Sequence, residues 1–131
     1  VPIISREIIE RALPDYDRLC AHNKKRNVAT THLFTFHECD GCILFTRDFA
    51  PAVGVNEDPV TGSANGALAG YLALKKILPV NGEYKIMQGN SRGRLGILYI
   101  KVSVKNTPKI SVGGKAVIVL NGEIELKNFN K

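Results

Sequence analysis

Residues 64–78 limit what this chain can become more than any other stretch. Ala67, Leu68, Ala69, Tyr71, Leu72, Ala73, Leu74, Ile77 and Leu78 place apolar groups on every side of a helix. Such a helix is expected to be enclosed by other structure, whereas a surface helix shows one apolar stripe. Gly66 and Gly70 stand one turn apart, so neighbouring strands can approach closely at that face. In a bilayer this spacing marks helix pairing. The segment is too short for a span of about 20 apolar residues, and Asn65, Lys75 and Lys76 interrupt it.

The flanking sequence supplies the wrapper. Residues 1–4 form a short apolar strand. Ser5 caps a helix reaching Leu13, which Pro14 stops, and Asp15 opens a second helix ending near Arg26. Residues 28–38 read as a strand with Phe34 and Phe36 on one face, paired with 43–49, where Ile43, Phe45, Arg47 and Phe49 share a face. An arginine among three apolar neighbours must be paired or must reach a polar cleft, and pairing with a nearby acid is the expectation. After Pro79 come strands at 83–88, 95–105, 109–112 and 115–120. The hairpin signal Asn121-Gly122 leads to a last strand at 123–127. In the strand at 95–105, Leu98, Ile100, Val102 and Val104 alternate with Tyr99, Lys101, Ser103 and Lys105. The fold class is α+β, a mostly antiparallel, curled, barrel-like sheet around one central helix, in a single domain of 131 residues.

Composition removes several function classes. The net charge is +6, yet the positive residues are dispersed. Lys24-Lys25-Arg26 closes a helix, and Lys101 and Lys105 lie on the wet face of a strand. Without tryptophan, and with few aromatics to stack bases, nucleic acid is not expected as a partner, nor is a membrane. Cys39-Asp40-Gly41-Cys42 has the gap of a zinc knuckle. A structural site usually needs a second such pair, and Asp40-Gly41 fits a two-residue hairpin turn. No metal is expected, and three cysteines suit a reducing, cytoplasmic setting. The chain begins at Val1 and its only methionine is Met87, so an upstream segment is expected to have been cut, processed or left out.

Residues 57–64, Glu-Asp-Pro-Val-Thr-Gly-Ser-Ala, run straight into the central helix. Free N–H groups and the positive end of the dipole make that helix mouth a place for a carboxylate or phosphate. Asp58 stands just outside, an acid or base within reach. From spacing alone an ordinary capped helix is the favoured reading, with Ser63 or Thr61 as N-cap and Pro59 stiffening the turn.

Resemblance separates these readings. Arg47-Asp48-Phe49-Ala50-Pro51, Gly54 and Glu57–Ala64 resemble the C-terminal half of the PhzF-like (phenazine biosynthesis) isomerases, relatives of diaminopimelate epimerase. Gln88-Gly89, Arg94 and the Gly113-Gly114 turn extend the resemblance along nearly the whole chain, while Ser91-Arg92-Gly93-Arg94-Leu95 departs from the family pattern. The resemblance implies a diaminopimelate-epimerase-like half-domain whose substrate lies between two facing halves. It also implies a cofactor-independent proton shift on a small carboxylic acid. It places Asp58 as catalytic residue and Thr61, Gly62 and Ser63 as substrate-binding, with Arg47, Glu57 and Gln88 supporting. The family's catalytic glutamate belongs to the other half, so activity is expected to need a partner. That partner is the N-terminal half or a second copy of this chain forming a homodimer. The alternative is a non-catalytic half-domain that binds a small anion or serves assembly. A lone chain is expected to expose apolar surface around the motif loop at Phe49, Ala50 and Val53.

Overall fold

Asp40 and Gly41 set the register of the sheet. Both take left-handed backbone, with φ of 53° and 73°, the conformation a tight two-residue hairpin demands. Cys39 and Cys42 are partners across the turn, as the sequence implied. The turn joins β1 (Thr31–Cys39) to β2 (Cys42–Ala50) in the computed structural model, which describes residues 1–89, 93–104 and 107–124. Upstream lie α1 (Arg6–Arg11) and α2 (Tyr16–Lys25); downstream follow β3 (Val55–Asp58), α3 (Gly62–Leu74), β4 (Gly82–Gln88), β5 (Gly96–Val104) and β6 (Pro108–Gly113). Ser5 and Asp15 cap the first two helices through their side chains, accepting from the Ile8 and Arg18 N–H groups.

The strands form one six-stranded sheet in the order β1-β2-β4-β5-β6, with β3 alongside β2. β2 and β4 run parallel, Leu44 opposite Ile86, because α3 carries the chain across between them. The remaining named pairs are antiparallel. Residues 1–3 add a parallel bridge on the outer edge of β1, Pro2 opposite Phe34. The sheet curls over α3 but does not close into a barrel.

Two clusters fill its faces. Leu44, Ile86, Leu98, Ile100 and Val102 pack with Leu68, Leu72 and Leu78 beneath the sheet. Ile9, Phe45 and Met87 pack on the opposite face, under α1. The expected alternation of β5 holds here. Ile43 departs from expectation by packing with the α3 side, away from Phe45. The glycines of α3 do what their spacing implied: a Cβ on Gly66 would lie 3.1 Å from Val112 Cγ2, and one on Gly70 would lie 3.7 Å from Ile110 Cγ1. β6 therefore rests almost directly on the helix backbone.

Other expectations are corrected. Asn65, Leu68, Ala69, Leu72 and Ala73 are buried, but Ser63, Ala67, Tyr71 and Leu74 are exposed. The helix is therefore not enclosed on all sides. Residues 115–120 form no strand. Val117, Ile118, Val119 and Leu120 are 83–91% exposed, and among the described residues they do not pair with the free edge of β6. Residues 121–124 also lack regular structure, and the remainder of the expected strand at 123–127 lies outside the described residues, as do Arg92 and Lys105. Phe49 and Ala50 are buried, not exposed. Tyr16 of α2 packs edge-on to the Phe49 ring at 6.4 Å, while Val53 is exposed as expected.

Candidate functional site at the mouth of α3

β3 ends at Asp58, Pro59-Val60 turns the chain, and Thr61 occupies the N-cap of α3. A threonine there ordinarily turns its hydroxyl back to the first N–H groups. Thr61 makes no such capping bond. Its hydroxyl donates instead toward Asp58 Oδ2 at 2.7 Å and toward Asp48 Oδ2 at 3.2 Å. Ser63 lies inside the first turn, exposed, and is not the cap either. The first N–H groups of a helix have no intrahelical acceptor, so the diverted hydroxyl leaves this mouth open to a ligand.

Gln88 at the end of β4 arranges the turn. Its Oε1 accepts from the Thr61 N–H at 3.0 Å and from Asn65 Nδ2. Its Nε2 donates to the Asp58 carbonyl at 2.8 Å and to Thr61 Oγ1 at 3.0 Å. Gln88 and Asn65 are fully buried, where polar groups must be satisfied. Thr46 Oγ1 donates to Asn65 Oδ1 at 3.3 Å, and Asn65 Nδ2 also reaches the Thr61 carbonyl at 2.9 Å. The motif is thus tied to β2 and β4 by side chains that both donate and accept.

Asp58, Thr61 and Gln88 come together, with Gly62 and Ser63 opening the helix beside them. Arg47 and Glu57 do not join them. Neighbouring strand residues point to opposite faces, and these two point toward α1. Arg47 Nε and Nη2 grip the Glu57 carboxylate at 2.7 and 2.8 Å. Arg47 Nη1 donates to the carbonyls of Ile9, Glu10 and Ala12 at 2.8, 3.1 and 2.9 Å. Its guanidinium stacks 4.8 Å over the Phe49 ring. The arginine fastens the C-terminal end of α1 to the strand that leads into the motif.

Two residues of the site were not singled out from the sequence. Asp48 is fully buried and accepts at Oδ1 from His32 Nδ1 at 3.0 Å. The available signal was Asp48 itself, an acid beside Arg47 in a strand buried on both faces. Past the mouth lies a cleft of ≈ 660 Å³ whose lining includes Val60, Gly62, Leu95, Ile97, Val112 and Lys115. Among the described residues no group of three or more His, Cys, Asp or Glu could hold a metal ion. No described helix is long and apolar enough to cross a membrane.

Comparison with known proteins identifies the family and the fold. Residues 1–122 match the PhzC-PhzF family model, described as phenazine biosynthesis-like protein. The chain is 36% identical over 132 residues to an uncharacterized isomerase of Clostridium acetobutylicum, covering 96% of this chain and 44% of the relative. It is 34% identical over 134 residues to an uncharacterized isomerase of Escherichia coli K12, covering 94% and 43%. The Bacillus anthracis phenazine biosynthesis protein of the PhzF family shares the fold at a TM-score of 0.75 and 25% identity, over 87% of this chain and 40% of that one. The chain thus spans less than half the length of the relatives it matches. With the family model covering most of its length, the chain belongs to the PhzF-like family of phenazine biosynthesis-like proteins.

Proposed function

We propose that this chain is the C-terminal half of a PhzF-like isomerase that shifts a proton on a small carboxylic acid. The N–H groups of Gly62 and Ser63 bind the substrate carboxylate, and Asp58 is the acid/base. Removing a proton from carbon is easier where preorganised N–H groups and a helix dipole meet the negative charge that develops and an acid/base stands close by. The observation that carries this reading is the diverted Thr61 hydroxyl, which leaves the α3 mouth uncapped and holds Asp58 beside it. The reading calls for no metal or cofactor, and it places the protein in the cytoplasm.

A proton shift at carbon can use a second group to return the proton, and Glu57 is engaged with Arg47. In this reading the other half of the enzyme supplies that group, or a second copy of this chain faces the cleft. Exposed apolar residues support a missing partner: Val60, Leu95 and Val112 rim the cleft, and residues 117–120 project uncovered. The same engagement of Glu57 favours a second reading, a non-catalytic half-domain that holds a small anion.

Solvent deuterium uptake into a panel of small unsaturated and 2-amino carboxylic acids separates the two. A protein carrying both halves should label at least one acid, and Asp58→Asn should abolish labelling with little change in Tm. Labelling undiminished by Asp58→Asn would refute the role of Asp58. Binding of the acids without labelling would favour the second reading.

A further inference from the structure

Thr61 has one hydroxyl proton and two carboxylates to give it to. Asp58 Oδ2 lies at 2.7 Å and Asp48 Oδ2 at 3.2 Å. Gln88 Nε2 already donates to the hydroxyl at 3.0 Å, and the orientation of that amide is fixed, because its Oε1 accepts from two N–H donors. A hydroxyl offers one donor and two acceptor lone pairs. With Gln88 on one lone pair, one acceptor and one donor remain for the two carboxylates.

One carboxylate at a time can accept from Thr61. When Asp58 is ionised, Thr61 donates to it, and Asp48 is left with the His32 Nδ1 donor at its other oxygen. When Asp58 carries a proton on Oδ2, that proton is donated to Thr61 Oγ1, and the hydroxyl turns to Asp48. The second arrangement requires Asp48 to remain an acceptor, and His32 provides for that. His32 Nδ1 donates to Asp48 Oδ1 at 3.0 Å. His32 Nε2 is buried with no partner among the described residues, so a proton there would be an orphaned buried donor, which is costly. The neutral tautomer with its proton on Nδ1 fits the site.

Resting on the reading of Asp58 as the acid/base, we propose that Asp48, held by His32, is its positioning residue. Asp48 acts through the Thr61 hydroxyl, which follows the proton on Asp58 and keeps that carboxyl in one orientation in both proton states. An acid/base must be in place before and after it takes the proton. A fixed donor would hold only the ionised form, and a fixed acceptor only the protonated one. The surrounding charges are few. Asp48 comes from β2 and His32 from β1, while Glu57, next to Asp58 on β3, is turned to Arg47 on the far face. β4 and α3 contribute the uncharged Gln88 and Asn65, Lys115 stands on the cleft rim, and Arg94 follows β4, exposed.

The test follows the ¹³Cγ resonance of Asp58 against pH in the purified chain and needs no substrate, so it can fail while the isomerase reading stands, and the reverse. In Asp48→Asn the new amide donates to Thr61 where a carboxylate oxygen accepted. The hydroxyl is then locked toward ionised Asp58, and the protonation profile of Asp58 should move to lower pH by about one unit, the equivalent of one hydrogen bond. Thr61→Ser should keep the wild-type profile. Thr61→Val should lose the single Asp58 side-chain rotamer reported by three-bond couplings, at both ends of the titration. If Asp48→Asn does not fold, the Thr61→Ser and Thr61→Val pair decides alone. A Thr61→Val protein that keeps both the rotamer and the wild-type profile overturns the proposal, as does a folded Asp48→Asn protein whose profile does not move.

Discussion

Replacing Arg47 by methionine isolates a buried ion pair and a helix anchor in one change. Methionine keeps much of the stem that lies over Phe49 and removes the guanidinium. The Glu57 carboxylate, only 13% exposed, then loses its bidentate partner, and three carbonyls at the end of α1 lose a charged donor. Breaking a buried pair by removing one partner costs about 3–5 kcal/mol, against about 0–1 kcal/mol for an exposed pair. Burial decides between these values, because Arg47 is 4% exposed. For a chain of this length each kcal/mol moves Tm by roughly 3–5 °C, so a fall of about 10–20 °C is expected. Urea unfolding monitored by circular dichroism should show a lower midpoint with an unchanged slope. Arg47→Met with Glu57→Gln leaves no uncompensated charge and should recover about 1–3 kcal/mol of the loss. A single-variant loss under about 1 kcal/mol would refute the reasoning, for it would mean that water or another group satisfies Glu57 and α1 without the arginine.

Further outcomes are open to direct measurement. Gly89→Ala should destabilise the chain by more than about 1 kcal/mol: the φ of Gly89 is 139° and a Cβ would collide with the Arg94 carbonyl, so a midpoint within error of wild type would contradict the turn geometry. Burial pushes the Cys42 thiol up, with Lys85 opposing it in part, so at pH 7.5 iodoacetamide should label Cys20 and Cys39 before Cys42. Equal labelling by mass spectrometry would contradict this, and stoichiometric zinc lost on Cys39→Ser would overturn the reading of Cys39 and Cys42 as reduced residues flanking a turn. Sedimentation velocity at micromolar concentration should show association of the lone chain through its exposed apolar residues, whereas a monomer unaffected by concentration would speak against a partner at that surface.

Local chemistry was legible wherever a residue's own conformation or charge settled the matter. Asp40-Gly41 announced a tight turn because so few residues accept positive φ at adjoining positions. Arg47 announced a pairing because an unpaired guanidinium in an apolar strand is too costly. Gly66 and Gly70 announced close approach, and β6 provides it. What failed depended on contacts distant in sequence. Residues 115–120 carry the β-branched apolar run of a strand, but a strand exists only with a neighbour to pair with, and composition does not name the neighbour. Phe49 was expected at the surface because the loop after it was read as an interface; α2 covers it through Tyr16. Asp48 was seen only as part of a motif, for its partner His32 is 16 residues away on another strand.

The unused cap at Thr61 connects stability to function. A threonine capping bond at α3 would contribute about 1 kcal/mol, and the helix forgoes it. A short helix with Gly62, Gly66 and Gly70 in its sequence also carries a propensity cost at the two interior glycines, each about 0.8–1 kcal/mol relative to alanine. These losses are tolerated because α3 is held from outside. Leu68 and Leu72 pack against the sheet, β6 lies on the glycine face, and Gln88 and Asn65 fasten the first turn through buried hydrogen bonds. Tertiary contacts therefore replace the local devices that usually start a helix, and that substitution frees the Thr61 hydroxyl for Asp58. A Gln88→Leu change tests the coupling. The helix should fray in its first turn, seen as faster exchange of the Asn65 amide, which donates to the Thr61 carbonyl, with little change at Leu72, since nothing local remains to hold the mouth. Protection at the mouth equal to wild type would show that α3 holds its first turn without the sheet, and that the missing cap has no bearing on the site.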